Sequence, residues 1–357
     1  MTPDSEQAAR DRWADGLRLL APFSAEIGSP FYGTMLECMA SDVADGGPTW
    51  PLLEPFTGEP PENVYHIRLL GGVHRLVLTG AAPELARHYP SVGGDGDAEA
   101  AWPFVRELLA TRPPVVLDAL TRPPQTNEVG RSAPLVGGLL VVARDTRLPL
   151  RLRELGSSAG LNLWFDRYWF SQDGRGWGDP TSTVRFVDLW PHGSPPFDAG
   201  MSIADRRGCD RHPMDVTSED GRLWLLAYVW PDQRARFELL RTALDLARDA
   251  PPAVDEAEIP EWLETQLAES TPGLATVVFH SIVWQYLTAK EKAAVEATLH
   301  EAGRRATADA PLAWLRLELG SELSTSDLRL TTWPGGAERL LAHAAPHLGP
   351  VEWLDGH

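Results

Sequence analysis

Cysteine and lysine are both scarce in this sequence. Its two cysteines, Cys38 and Cys209, cannot form the disulfide framework on which many small secreted proteins depend. Lys290 and Lys292 are the only lysines, so arginine supplies nearly all of the positive charge. The first residues, MTPDSEQAARDRWADG, contain no apolar signal-peptide segment. These features together predict a cytoplasmic protein.

Long hydrophobic runs are also missing. The longest apolar stretch, PLVGGLLVVA at residues 134–143, is about half of the ~20 residues that a membrane-spanning helix needs. This stretch therefore predicts a buried helix of a globular protein.

Basic residues are fewer than acidic residues in the whole chain, 32 against 50. The formal net charge is −18 and the isoelectric point is near 4.9, so the protein repels phosphate backbones and anionic lipid headgroups. We therefore expect no nucleic acid and no membrane among its partners. A small-molecule substrate is expected instead, and the composition does not indicate how many subunits assemble.

The chain is long enough for more than one core. A length of 357 residues with 43% hydrophobic residues predicts two domains, which we place at residues 1–125 and 126–357. Helical spacing dominates up to Leu148, for example at Trp13, Leu17 and Leu20. Residues 64–79 contain a Gly71-Gly72 pair that suits a hairpin turn, but their apolar spacing favours a helix.

After residue 149, short apolar runs alternate with amphipathic helices, which is typical of a parallel sheet with crossover helices. Thr288 and Glu291 form the capping-box pattern at the start of one helix. Residues 171–200 are rich in Gly and Pro and predict an inserted hairpin and loop. Seven strands are predicted, near residues 150–155, 201–206, 252–256, 274–280, 311–318, 327–333 and 350–354.

The most informative segment is LRLRELGSSAGLNLWFDRYWF at residues 150–170. An apolar strand ends at Glu154, a turn containing Gly156, Ser158 and Gly160 follows, and a helix is predicted to begin after Gly160. Small residues in such a turn let a ligand approach the backbone, and a following helix would offer free N–H groups. The hypothesis therefore requires open space beside this turn.

The spacing of Glu154, Gly156, Ser158 and Gly160 resembles motif I of class I S-adenosylmethionine (SAM) dependent methyltransferases. This resemblance implies that Glu154 and the glycine turn hold the methionine part of SAM, with Ser158 in place of the usual middle glycine. It also implies an α/β fold with a Rossmann-like, seven-stranded, mostly parallel sheet, and a helical N-terminal cap over the ligand-binding edge.

The wider chain resembles an uncharacterised family of bacterial proteins that is distantly similar to those methyltransferases. The segments that carry this resemblance are TNEVGRSAPL at 126–135, ELGSSAGLNL at 154–163, RRGCDRHPMDV at 206–216, WPDQRARF at 230–237 and FHSIVWQYL at 279–287.

The resemblance to methyltransferases suggests further cofactor-binding candidates. An acid at the end of the second strand would bind the ribose hydroxyls, and Asp205 and Asp210 are the candidates, with surface ion pairing as the alternative for both. Arg131 precedes the sheet and would pair with a carboxylate of the cofactor or substrate. Asp255, after the third strand, would lie near the adenine or else be an exposed loop acid.

His280 is the candidate catalytic residue. It lies at the end of the predicted fourth strand, where it would remove a proton from the methyl acceptor, and a hydrogen-bonded packing role is the alternative. Cys209, Asp210, His212 and Asp215 have side chains of metal-ligand type, but their spacing matches no familiar zinc pattern. No metal is therefore expected.

Two other functions remain open from the same residues. Gly156, Ser158 and Gly160 also have the G-x-S-x-G form of a serine hydrolase elbow, for which His343 or His347 would be the base. The elbow normally follows several strands, whereas the residues before 149 are predicted to be helical. The remaining alternative is a ligand-binding Rossmann protein without catalysis. We favour SAM-dependent methyl transfer to a small acceptor.

Overall fold

A computed structural model describes residues 3–59, 64–321 and 324–355 of the chain. The described residues form two compact units. The first contains the residues up to Thr126 together with Ser218–Glu238, and the second contains Asn127–Thr217 together with the residues from Leu239 onward. The first unit thus includes a segment, 218–238, that the sequence analysis placed in the second domain.

Helices make up the regular structure described in the first unit. Ser29 caps α2 and Asp97 caps α6, each by accepting a hydrogen bond from a backbone N–H of the first turn. The prediction of a helix over residues 64–79 is confirmed, since α4 occupies Tyr65–Leu78. The helices are α1 (Pro3–Glu26), α2 (Pro30–Ala44), α3 (Trp50–Leu53), α4, α5 (Pro83–Ala86), α6 (Ala98–Ala110), α7 (Pro114–Thr121), α9 (Glu219–Ala227) and the start of α10 (Arg234–Arg248).

The second unit is built around a mixed, mostly parallel sheet of eight strands. In chain order these are β1 (Leu150–Leu155), β5 (Ile203–Asp210), β6 (Val254–Glu256), β7 (Ala275–Ser281), β8 (Leu312–Leu319), β9 (Ser326–Trp333), β10 (Ala337–Ala344) and β11 (Val351–Trp353). Their spatial order is β11-β10-β9-β8-β7-β1-β5-β6. The pairs from β6 to β8 are parallel, and those from β8 to β11 are antiparallel.

The predicted strands all correspond to strands of this sheet, but the predicted number of seven is wrong because β10 was missed. The sequence of β10, AERLLAHA, contains no β-branched residue and consists mainly of good helix formers. Its pairing with β9 and β11 makes it a strand despite this composition. Tertiary context therefore overrides local propensity at β10.

The predicted insertion contains a second, smaller sheet. Its strands are β2 (Trp169–Gln172), β3 (Arg175–Gly178) and β4 (Arg185–Val187), in the order β3-β2-β4. Asp173 and Gly174 have φ values of 51° and 77°, and this left-handed pair forms the two-residue turn of the β2–β3 hairpin.

In the described part of the second unit, the α-helices are α8 (Ser132–Thr146), the remainder of α10, α11 (Ile259–Gln266) and α12 (Ala289–Arg305). The apolar stretch 134–143 lies in α8 and is buried throughout, as predicted. Thr288 and Glu291 form the predicted capping box of α12. None of the helices in the described part of the chain is long and apolar enough to cross a membrane.

Candidate functional site

The candidate site lies at the carboxyl edge of the parallel part of the main sheet. β1 lies between β5 and β7. In chain order, β5 and β6 are added on one side of β1, and β7 and β8 are then added on the other side. A crevice at such a change of direction is where open α/β sheets usually bind ligands. The residues that end these strands at this edge are Leu155, Asp210, Ser281 and Leu319.

The turn after β1 has left-handed backbone at three positions. Gly156, Ser158 and Gly160 have φ values of 66°, 53° and 71°. Glycine adopts this conformation without strain, whereas a serine in it carries a backbone cost of order 1–3 kcal/mol. The two glycines are thus explained in part by the shape of the turn.

Packing explains the rest of the glycine requirement. A Cβ added to Gly156 would lie 2.5 Å from Cγ2 of Val283, and one added to Gly160 would lie 2.7 Å from side-chain atoms of Pro252 and Val254. The expectation of open space on these sides of the turn is therefore wrong. Side chains of the protein itself fill the space next to both glycines.

Two buried oxygen atoms beside this turn have no hydrogen-bond partner among the residues that the structure describes. Glu154 is 2% exposed and Ser158 is 5% exposed. Neither Oε2 of Glu154 nor Oγ of Ser158 makes a hydrogen bond to any residue that the structure describes. Buried polar atoms are nearly always hydrogen-bonded, and an unmade bond costs about 1–3 kcal/mol. These two oxygens are the main indication of a ligand at this edge.

The electrostatic environment of Glu154 favours its neutral form. Burial raises the pKa of Glu154 to about 8 from its ordinary 4.5, and the negative charge of Asp210 adds to this. A hydrogen bond from the Ser157 side chain and the positive charge of Arg131 act in the opposite direction. The raised pKa shows that burial and Asp210 outweigh Ser157 and Arg131.

Asp210 and Asp205 occupy different levels of β5. Asp210 ends the strand, and its carboxylate accepts hydrogen bonds from the backbone N–H of Ser158 at 2.8 Å and of His212 at 2.9 Å. Asp205 lies near the start of the strand and pairs with Arg153 at 2.6 Å. Of the two predicted ribose-binding candidates, only Asp210 lies at the carboxyl edge of the parallel strands.

The segment before α8 is tied to this edge. Oδ1 of Asn127 accepts a hydrogen bond from the backbone N–H of Leu161 at 2.9 Å. The Arg131 guanidinium donates to the carbonyl oxygens of Ser281 and Pro346, each at 3.0 Å. Arg131 therefore lies among the predicted site residues, where it bridges the end of β7 and the loop after β10.

His280 is fully buried with both ring nitrogens engaged. Its Nδ1 lies 2.6 Å from Oε1 of Glu318, and its Nε2 accepts a hydrogen bond from the indole N–H of Trp314 at 3.1 Å. This pattern describes a neutral ring with its proton on Nδ1. The predicted role of His280 as a base requires that one of these two bonds exchange for an acceptor substrate.

Glu318 is a residue of this edge that the sequence analysis missed. Its carboxylate also accepts hydrogen bonds from the backbone N–H groups of Val283 at 3.0 Å and Trp284 at 3.3 Å. The signal was present, because β8 ends in RLEL much as β1 ends in RLREL, with an acid next to the last residue of the strand. Glu318 fixes the loop that carries Val283 against Gly156.

Asp255, the candidate after the third predicted strand, has structural partners. Asp255 makes a two-point ion pair with Arg207, at 2.5 and 2.6 Å, and accepts a hydrogen bond from the Trp262 indole. Within the described residues, no group of three or more His, Cys, Asp and Glu side chains is arranged to hold a metal ion.

Comparison with known proteins identifies the family. Residues 14–353 match the model of a family described as "Uncharacterized protein conserved in bacteria (DUF2332)". The chain belongs to this family. The match spans both units of the DUF2332 chain and contains every site residue named above. No curated protein and no solved structure matches the chain.

Proposed function

We propose that this protein binds SAM at the carboxyl edge of its main sheet and transfers the methyl group to a small-molecule acceptor. The observation that carries the proposal is the pair of unpartnered buried oxygens, Oε2 of Glu154 and Oγ of Ser158, on the two sides of Gly156. A ligand with donor groups would supply the bonds that the described protein atoms leave unmade.

The strand order supports a ligand of nucleotide type. The parallel strands follow the order β6-β5-β1-β7-β8, which corresponds to 3-2-1-4-5 of a doubly wound nucleotide-binding sheet. The antiparallel run from β9 to β11 departs from that pattern, since the resemblance to methyltransferases predicts seven strands. This departure lies at the far edge of the sheet, away from the turn after β1.

The residues present fit SAM in their hydrogen-bonding capacity. Glu154 and Ser158 offer unpartnered oxygens to the amino-acid end. Asp210 ends β5 at the same edge, where its carboxylate accepts hydrogen bonds from the backbone N–H groups of Ser158 and His212, and it would bind the ribose hydroxyls. Arg131 would hold the loops that border the site.

When bound, SAM would supply an already activated methyl group, so the protein has little covalent chemistry to perform. Its task is to align the acceptor and to exclude water. Both ring nitrogens of His280 are already hydrogen-bonded. Most of the rate enhancement would therefore come from alignment of the cofactor and acceptor by Asp210, Arg131 and the turn. Glu318 would position the loop that borders the acceptor.

The proposal is tested by calorimetric titration with SAM and S-adenosylhomocysteine. We expect one ligand per chain, and methyl transfer from labelled SAM to a panel of small acceptors. Asp210→Asn should weaken binding about tenfold, and the matched control Asp205→Asn should leave it unchanged in protein that remains folded. Absence of binding, or equal loss in both variants, would refute the proposal. Binding without any turnover would favour a ligand sensor.

A serine hydrolase is the second candidate, favoured by the left-handed φ of 53° at Ser158 in the G-x-S-x-G turn. A nucleophile elbow needs a histidine hydrogen-bonded to the serine, and no described residue bonds Oγ of Ser158. His343 instead contacts Asp327 at 2.8 Å. Labelling by a fluorophosphonate that Ser158→Ala abolishes would establish the hydrolase.

A further inference from the structure

The first unit has a cavity of its own. Its volume of about 340 Å³ lies near the lower end of the ~300–1,000 Å³ of small-molecule sites. The other described wall faces α1 and consists of residues 56–59 and 64–66. The wall on α1 is one face of the helix, with the spacing of three and four residues that places side chains together. Its residues are Ala9, Arg12, Trp13, Gly16, Leu17 and Leu20.

Large apolar side chains line this cavity without being fully buried. Trp13, Leu20 and Phe56 pack against the core of the first unit and remain partly exposed. Phe56 also stacks on Tyr65, with the two ring centroids 4.0 Å apart. Partly exposed apolar side chains gathered on one concave surface are typical of a ligand site. Their rings suit a ligand that is itself aromatic.

Packing does not explain why residue 16 is a glycine. Gly16 lies inside the 24-residue helix α1, where glycine is less favourable than alanine. A Cβ at Gly16 would meet no described atom within 4 Å, whereas one at Gly33 of α2 would lie 2.9 Å from the carbonyl oxygen of Ala21. Because Gly16 lines the cavity, a large side chain there would occupy part of it. The glycine therefore keeps this space open.

The polar groups of the lining favour a carboxylate. Arg12 makes no ion pair with any residue that the structure describes. Oγ1 of Thr57 is buried and has no hydrogen-bond partner in the described protein. His66 is 9% exposed, and burial lowers its pKa to about 4, so its ring is a neutral N–H donor near pH 7. Glu59 carries the opposing charge on the other wall, so we expect the anionic group beside α1.

We propose that the first unit binds a small aromatic carboxylate in this cavity, with the ring against Trp13 and Phe56 and the carboxylate toward Arg12. The binding is non-covalent and no bond changes. No described lining residue belongs to the second unit, which carries the turn after β1. The site is therefore additional to the proposed SAM site and does not depend on the proposed function.

The test is calorimetric titration of the full chain with three naphthalene probes that differ in one substituent. They are the anion 2-naphthoate, the neutral 2-naphthamide and the cation 2-naphthylmethylamine. We expect one 2-naphthoate per chain, bound about five times more tightly than the amide, because the Arg12 pair is partly open to solvent. The cation should bind more weakly than the amide. In Arg12→Gln, the acid and the amide should bind equally.

Two substitutions at Gly16 test the location. Gly16→Phe fills the cavity and should lower the affinity for 2-naphthoate at least tenfold, whereas the matched control Gly16→Ala adds one methyl group and should retain it. Both variants should be at least as stable as wild type in thermal melts, because either residue is a better helix former than glycine.

The outcomes decide the proposal independently of SAM binding. Failure of the wild-type protein to bind 2-naphthoate, or equal affinity for the three probes, would overturn it. Binding of 2-naphthoate that persists unchanged in Gly16→Phe would place the probe elsewhere and would overturn it as well. The comparison of the three probes on wild type decides the matter even if Gly16→Phe does not fold.

Discussion

Replacing Glu154 by Gln should make the second unit more stable, by an amount that grows with pH. The unfolded chain loses the Glu154 proton near pH 4.5, whereas burial delays this loss in the folded chain to a pKa of about 8. Between these values the unfolded state binds fewer protons, so stability falls as pH rises, by about 1.4 kcal/mol per unit. A neutral amide has no such linkage.

The magnitude follows from the two pKa values. From about pH 5.5 to about pH 7.5 this carboxyl alone lowers the free energy of unfolding by about 2.5 kcal/mol, which is a large part of the ~5–15 kcal/mol typical of a domain. The variant Glu154→Gln should lack this decline. Its advantage over wild type should therefore increase by about 2.5 kcal/mol across the same range.

The assay is guanidinium denaturation at several pH values, with hydrogen exchange of the β1 peptide 150–155 to identify the transition of the second unit. Glu256→Gln, which removes an exposed acid from the same edge, is the control and should parallel wild type at each pH. A stability difference between Glu154→Gln and wild type that is constant with pH would refute the claim that Glu154 is neutral in the folded protein.

Three further substitutions test contacts near the turn after β1 and at the start of α2, where the Asp232 carboxylate accepts hydrogen bonds from the Ser29 hydroxyl and the Phe31 backbone N–H. Gly156→Ala should destabilise the second unit by about 2–4 kcal/mol, since it strains a φ of 66° and places a Cβ 2.5 Å from Val283; addition of Val283→Ala should restore part of the loss in thermal melts. Glu318→Ala should cost about 2–4 kcal/mol by leaving Nδ1 of His280 and two backbone N–H groups without their acceptor. Glu318→Gln keeps one acceptor oxygen and should cost less, and equal losses in denaturant titrations would contradict this. Asp232→Ala should cost about 1–2 kcal/mol in the first unit by removing its bonds to the start of α2, and Asp232→Asn should cost less by circular dichroism.

The strands of the main sheet could be predicted because buried parallel strands form short apolar runs between turn residues. The error at β5 shows the limit of that reasoning. The strand predicted near residues 201–206 stops short of Gly208, Cys209 and Asp210, whereas β5 continues to Asp210 beside β1 and β6. Pairing with these neighbours extends β5. Because of this extension, Asp210 rather than Asp205 lies at the carboxyl edge of the sheet.

The candidate site was only partly predictable. Glu154 and the glycine turn follow from local spacing, whereas their solvent exposure and partners do not. The contact of Gly156 with Val283 joins residues that are far apart in sequence, and so does the bond of His280 to Trp314. No local pattern encodes these contacts, so the sequence indicated the positions of the chemistry and not the state of each group.

The strong signal for a hairpin before β10 was overlooked. Trp333-Pro334-Gly335-Gly336 separates β9 from β10, and such Pro-Gly clusters between strands mark turns. This turn predicts a hairpin, and it is a stronger signal than the helix-forming composition of residues 337–344, which form the eighth strand.

The membership of residues 218–238 in the first unit affects the order in which the protein matures on the ribosome. The end of α9 contributes the Ala227 carbonyl oxygen that bonds His74, and the next residue contributes the Tyr228 ring beside Gly71, so α4 lacks these neighbours until residue 228 has been translated. Strands β1 and β5 are translated before then. Part of the surface of α4 therefore stays exposed while the first strands of the sheet are synthesised. A nascent chain arrested after Thr126 should bind chaperones strongly.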